Sequence, residues 1–248
     1  MSPAAPTACI IIIGNEILSG RTEDVNLHWL AQALGEMGIR LRESRVILDD
    51  EAAIVETVNA CRKRFDYIFT TGGIGPTHDD ITSASIAKAF GVELARHPDA
   101  EAALRAHYGT ERLNAPRLKM ADIPRGAKLI ANPVSAAPGY YLENVFVMAG
   151  VPVIMRAMFN DIRHLLKGGP PLLSRTLSAH VTEGMIAEAL AQIQHSHREV
   201  EIGSYPFIKN GRLGVSLVVR GTDGAALEKA AEEIEGLLHR HTQAVAIS

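Results

Sequence analysis

Acidic and glycine-rich residues gather at three places early in the chain: Gly14-Asn15-Glu16, Asp49-Asp50, and the run Thr70-Thr71-Gly72-Gly73-Ile74-Gly75-Pro76-Thr77-His78-Asp79-Asp80. The third is the most informative. Three glycines in four positions let the backbone turn tightly and direct N–H groups toward an anion. A helix expected from about Thr82 adds the positive end of its dipole. Asp79 and Asp80 stand at that helix start, beside the place a phosphate would occupy. Two carboxylates there repel a phosphate unless a hard divalent cation bridges the charges, so a Mg²⁺-type ion is implied. The plainer alternative makes Asp79 and Asp80 helix caps and the glycines a simple turn. His78 could orient a water or contact a phosphate, or serve only as a hydrogen-bond partner within the loop. The run matches neither GxGxxG nor GxxxxGKS/T, which counts against dinucleotide redox chemistry and Walker-type hydrolysis.

The elements that must position these residues alternate. Residues 9–13 form a β-branched strand that Gly14 ends. Residues 26–37 place Leu27, Leu30, Ala31 and Leu34 on one helical face, closed by Gly38. A strand at 41–48, a helix at 51–64, a strand at 65–71 and helices from Thr82 and from His97-Pro98 follow. Strands joined through helices run parallel with right-handed crossovers, so the expected fold is a three-layer α/β sheet, open and mostly parallel. Ligands bind beyond the carboxyl ends of such strands, which is where all three motifs fall. A hairpin around Glu143-Asn144 carries Tyr140, Tyr141 and Phe146. They read as exposed aromatics at a sheet margin and as the interface of a homo-oligomer, a dimer or trimer.

Lys167-Gly168-Gly169-Pro170-Pro171 breaks any element and marks a boundary between domains at 1–167 and 172–248. Beyond it the order is βαββαβ, with Asn210-Gly211 as a hairpin turn, the pattern of a smaller ferredoxin-like α+β domain. His195/His197 and His239/His241 fall at helix ends and lack a clear third ligand. A net charge of −3 excludes a broad basic face for duplex nucleic acid. The longest apolar run is far short of the roughly 20 residues of a membrane-spanning helix. With no secretion signal at the start, and Cys9 and Cys61 reading as buried free thiols, the expectation is a cytoplasmic protein.

GNEILSG at residues 14–20, Asp24 and Asn26, TTGGIGPTHDDIT at 70–82, Lys119, NPVSAAPG at 132–139 and Gly150-Val151-Pro152 together resemble the MoaB/Mog molybdopterin-binding fold family. Within it they are most similar to the N-terminal part of CinA-like, competence/damage-inducible proteins. The resemblance implies a pocket for a pterin or nucleotide phosphate. Gly72, Gly73 and Gly75 would form the phosphate turn with Thr71 and His78 beside it. Asp80 would be the essential aspartate, Glu16, Asp24 and Asp49 acidic positions around it, and Lys119 a basic one. Asp80, Glu16 and Asp49 would be catalytic, and Asp80, Asp79 and Glu16 would hold the cation. In CinA-like proteins this part implies metal-dependent ADP-ribose pyrophosphatase activity; the alternative is non-catalytic binding of molybdopterin or a related phosphate-bearing ligand. Ser135, Ala149 and Ile154 depart from the CinA pattern, which has glycine, proline and glutamate there. The family's C-terminal amidase domain has no counterpart in the sequence, so deamidation of nicotinamide mononucleotide is not expected.

Overall fold

In the computed structural model, which describes residues 5–242 and 244–247, strand β1 (Thr7–Ile13) serves two cores at once. Its alternation sends Cys9, Ile11 and Ile13 to one face and Ala8, Ile10 and Ile12 to the other. After it come α1 (Asn15–Leu18), α2 (Asn26–Glu36), β2 (Arg40–Ile47), α3 (Glu51–Cys61), β3 (Tyr67–Thr71) and α4 (Thr82–Phe90). Then follow β4 (Leu94–Arg96), α5 (Pro98–Arg112), α6 (Ala115–Lys119), β5 (Asp122–Pro124), β6 (Lys128–Ile130), β7 (Gly139–Leu142), β8 (Val145–Met148) and α7 (Pro152–Ile162).

The six-stranded sheet runs β2-β1-β3-β8-β7-β6. Its first four strands are parallel, and β7 and β6 are antiparallel additions. On one face Ile54 and Val58 of α3, Ile86 of α4 and Leu104 of α5 pack against the sheet. On the other lie Leu30 and Leu34 of α2 with Met155 and Phe159 of α7. This is the expected three-layer, open and mostly parallel sheet.

The hairpin aromatics are a correction. Tyr140 and Phe146 are only 1% and 4% exposed, and Phe146 stacks between Phe69 and Tyr141 at 5.3 and 5.2 Å. The hairpin was read as a margin, but β8 pairs with β3 inside the sheet, and β6 forms the edge. These rings are core, and they give an oligomer interface no support. The thiols of Cys9 and Cys61 are buried and unbonded with their sulfurs 3.6 Å apart, and burial, ahead of the Cys61 charge, pushes the Cys9 thiol up to about 12.

Contacts divide the chain into Met1–Gly169 and Pro170–Ser248. The second unit contains β9 (Leu173–Ala179), α8 (Glu183–Ser196), β10 (Glu201–Lys209), β11 (Arg212–Gly221), α9 (Gly224–His239) and β12 (Val245–Ile247). Its antiparallel sheet has the order β10-β11-β9-β12, the split βαββαβ arrangement. Asn210 and Gly211 both take positive φ, as a two-residue hairpin turn with right-handed strands requires. Among the described residues no helix is long and apolar enough to cross a membrane.

Candidate functional site

The chain leaves β1 toward β2 on one side, then returns across it to β3 on the other. The reversal of strand order therefore lies between β1 and β3. That crevice, at the carboxyl ends, is where open α/β sheets bind ligands. Glu16 follows β1 in α1, and the glycine turn follows β3.

The turn is built so that side chains cannot enter it. Gly72 and Gly73 have φ of 104° and 67°. A Cβ on Gly72 would lie 2.1 Å from the Ile13 carbonyl oxygen, and one on Gly73 2.1 Å from the Thr82 hydroxyl. The Thr82 N–H donates to Gly73 O at 3.0 Å and its hydroxyl to Gly72 O at 3.1 Å, which fixes the turn to the start of α4. Gly72 spends its own N–H on Met148 O at 3.1 Å, so anion contacts from this turn must come from later amides. A Cβ on Gly75 would meet the Asp80 carboxylate at 2.6 Å, so Asp80 lies directly against the turn. Asp80 Oδ2 accepts the Thr77 N–H at 2.8 Å.

A cavity of about 670 Å³ opens here, with Glu16, Gly72, Gly73, Gly75 and Asp80 in its wall. Five of the residues singled out in the sequence are thus brought together. The others lie elsewhere. The side chains of His78 and Asp79 are 98% and 62% exposed, 3.9 Å from each other, and outside that wall. Asp49 Oδ2 accepts the Asn15 N–H at 2.8 Å and ties the end of β2 to α1. Asp50 caps α3 through the Ala53 N–H. Asp24 accepts the Leu27 N–H at 2.9 Å in the first turn of α2. Thr71 is buried in β3, and its hydroxyl finds no partner. Lys119 borders a smaller recess beside Asp80, and its ammonium donates to the Thr77 and Asp80 carbonyls, each at 2.9 Å.

Arg117, Tyr108 and Asn132 also line the large cavity, and the sequence reading passed over all three. The Arg117 guanidinium lies over the Tyr108 ring, 4.5 Å from its centroid. A signal existed for Arg117. Asn114-Ala115-Pro116 is a helix start, with Asn114 Oδ1 accepting the Arg117 N–H at 3.1 Å. Two residues apart on α6, Arg117 and Lys119 must point different ways. Ile154 of α7, standing where the CinA pattern has glutamate, lines the cavity while packing on the core beneath it.

The donor set suits one kind of cation. Glu16 and Asp80 offer hard carboxylate oxygens on one wall. Among the described residues no group of three His, Cys, Asp or Glu side chains comes together as a metal cage. A Mg²⁺-type ion, which uses one or two carboxylates and completes its shell with phosphate oxygens and water, fits such a pair.

Comparison with known proteins adds the following. The family described as "Probable molybdopterin binding domain" matches residues 9–168, and "FAD synthase, middle domain" matches residues 171–245. A protein of Archaeoglobus fulgidus is 35% identical over 230 residues, 93% of this chain and 97% of its own length. A CinA-like protein of Gloeobacter violaceus is 32% identical over 94% of this chain, and a probable FAD synthase of Caenorhabditis elegans is 29% identical over 96%. The chain spans 57% and 51% of those two longer proteins. The crystal structure of CinA from Thermoplasma acidophilum, whose title gives its function as unknown, aligns with a TM-score of 0.62 at 35% identity. The alignment covers 64% of this chain and 97% of that one.

Proposed function

The chain belongs to the molybdopterin-binding-domain family, and from that premise we propose a divalent-cation-dependent pyrophosphatase acting on a nucleotide diphosphate such as ADP-ribose. One observation carries this reading. Two carboxylates, Glu16 and Asp80, share a wall with the glycine turn at the reversal of strand order. A phosphate held there faces like charge, and a cation held by Asp80 and Glu16 would neutralise it and polarise the phosphorus centre. Water adds to one phosphorus, the bridging P–O bond breaks, and two monophosphates leave. Glu16, exposed at the end of β1, is placed to take the proton of that water. Arg117 is the cation on the cavity wall that would offset charge building on the leaving phosphate, since Lys119 is committed to two carbonyls. The FAD synthase relatives agree with a nucleotide-type ligand.

The experiment is a titration with ADP-ribose in millimolar Mg²⁺ and in EDTA, with AMP release followed in parallel. Binding that needs the cation, with AMP appearing only in its presence, is expected. Equal affinity in EDTA would overturn the metal-bridged site. Ile154 favours a second reading, in which the cavity binds molybdopterin or a related phosphate-bearing ligand without turnover, because a carboxylate of the CinA pattern is missing from the wall. Binding without AMP release would select it.

A further inference from the structure

We propose that Tyr108 and Arg117 form a ring-recognising wall of the cavity, so that its ligand must carry a planar heterocycle joined to its phosphates. This rests on the phosphate reading given above and adds the class of group at the ligand's other end. The cavity, about 670 Å³, has the size of a pocket for a whole cofactor-sized ligand, well beyond what a pair of phosphates would fill. Its polar residues lie at the ends of β1 and β3, and Ile74, Met120, Ile154 and Met158 make much of the rest apolar. Phosphates alone would leave that surface uncovered.

Tyr108 and Arg117 are held ready for a flat group. Tyr108 precedes Gly109, whose φ of 69° and ψ of 171° break the helical path of α5 and let the chain turn toward α6. The ring packs against the core of the sheet and meets the His107 ring edge-on at 4.7 Å. Arg117 is fixed by Asn114 at its backbone N–H, by the Arg112 carbonyl at Nη1, and by the Tyr108 ring under its guanidinium. A guanidinium already ordered in this way loses little freedom when a second planar group stacks on it, and it keeps donors for a phosphate. Stacking tolerates any π-face, so adenine, flavin and pterin rings share this chemistry.

The test uses the full chain in Mg²⁺ and compares pyrophosphate, which has no ring, with ADP-ribose and flavin mononucleotide. In the native protein at least one ring-bearing probe should bind more tightly than pyrophosphate. Tyr108→Ala should weaken that probe by about five- to a hundredfold, the usual range for loss of a base–aromatic stack, while pyrophosphate affinity changes less than about twofold. Tyr108→Phe should restore the loss. If Tyr108→Ala shows no melting transition, Tyr108→Leu, which fills the same packing space, makes the same comparison. Which of the two ring-bearing probes gains identifies the ring source. If pyrophosphate binds as well as both of them, or if Tyr108→Ala weakens all probes alike, the ring wall is overturned and the phosphate site stands. If none of the three binds, the phosphate reading falls and the ring wall with it.

Discussion

Lys119 holds Asp80 by its backbone, with the ammonium 2.9 Å from the Asp80 carbonyl oxygen and equally close to that of Thr77. One side chain from α6 thus clamps both ends of the segment that carries the aspartate. Asp80 Oδ2 closes the same loop from within through the Thr77 N–H. The basic residue expected to face a phosphate instead shapes the loop that presents the carboxylate. Lys119→Met should lower stability by about 1 kcal/mol, the net value of ordinary exposed hydrogen bonds, and should weaken Mg²⁺-dependent binding through a loosened loop. Urea unfolding and ADP-ribose titration check the two effects. Unchanged binding would show that the clamp is dispensable.

Gly72→Ala tests the turn itself. The added methyl would lie 2.1 Å from the Ile13 carbonyl oxygen at a φ of 104°, so both sterics and backbone geometry oppose it. The partner atom is backbone inside the sheet and cannot swing away. Overpacking and the left-handed conformation together should cost about 3 kcal/mol, read as a shift in the urea midpoint. A loss under about 1 kcal/mol would mean that the turn relaxes easily.

Asp80→Asn separates function from support. The amide oxygen can still accept the Thr77 N–H, so the melting temperature should stay within a few degrees. The anionic oxygen for the cation is gone, so AMP release and the Mg²⁺ dependence of binding should disappear together. A collapse in melting temperature would make Asp80 a structural residue first.

The elements of the sheet were legible because each one has its own local signal. The apolar run of β1, the face of α2 ending at Gly38, and the start of α4 at Thr82 all lie where sequence spacing puts them. Glu16 and the glycine turn were legible as neighbours because parallel strands share an edge. Side-chain direction carries no such signal. Asp24, Asp49 and Asp50 sit near the right places and spend their carboxylates on backbone N–H groups. The burial of Tyr140 and Phe146 depends on β8 pairing with β3, more than 70 residues away in the chain, which hairpin periodicity cannot express. Arg117 and Tyr108 belong to no motif, and their meeting is set by the break at Gly109 and the short helix after it.

The start of β1 supplies a pH prediction. The Asp66 carboxylate accepts the Thr7 N–H at 2.7 Å and its hydroxyl at 2.8 Å, and these bonds, the backbone one foremost, hold its carboxyl below the usual range. The folded pKa is below the unfolded one, so the stabilisation is present above the unfolded value and fades as pH falls through the folded one. Asp66 is exposed, which keeps the effect small. Asp66→Asn should therefore melt slightly below the native protein at pH 7, and the gap should close in acid, below about pH 4. A gap that stays constant across that range would assign the effect to packing.

Ile154→Glu separates hydrolase from binder. Ile154 lines the cavity, part-buried on α7, with its flank against the core of Met155 and Phe159. In a competent pocket, a carboxylate there restores a group of the CinA pattern, and general acid–base groups typically contribute about 10²–10⁴-fold. Hydrolysis of ADP-ribose should then rise well above the native level. The opposing term is desolvation, because a carboxylate pressed into the apolar flank costs a few kcal/mol unless it reaches the cavity water. Melting temperature and AMP release must be read on the same preparation. A stable variant with raised turnover supports a pyrophosphatase that Ile154 has slowed. A stable variant that still binds ADP-ribose with Mg²⁺ but hydrolyses no nucleotide diphosphate would sink the hydrolase reading, and leave a pocket that holds its phosphate-bearing ligand without cutting it.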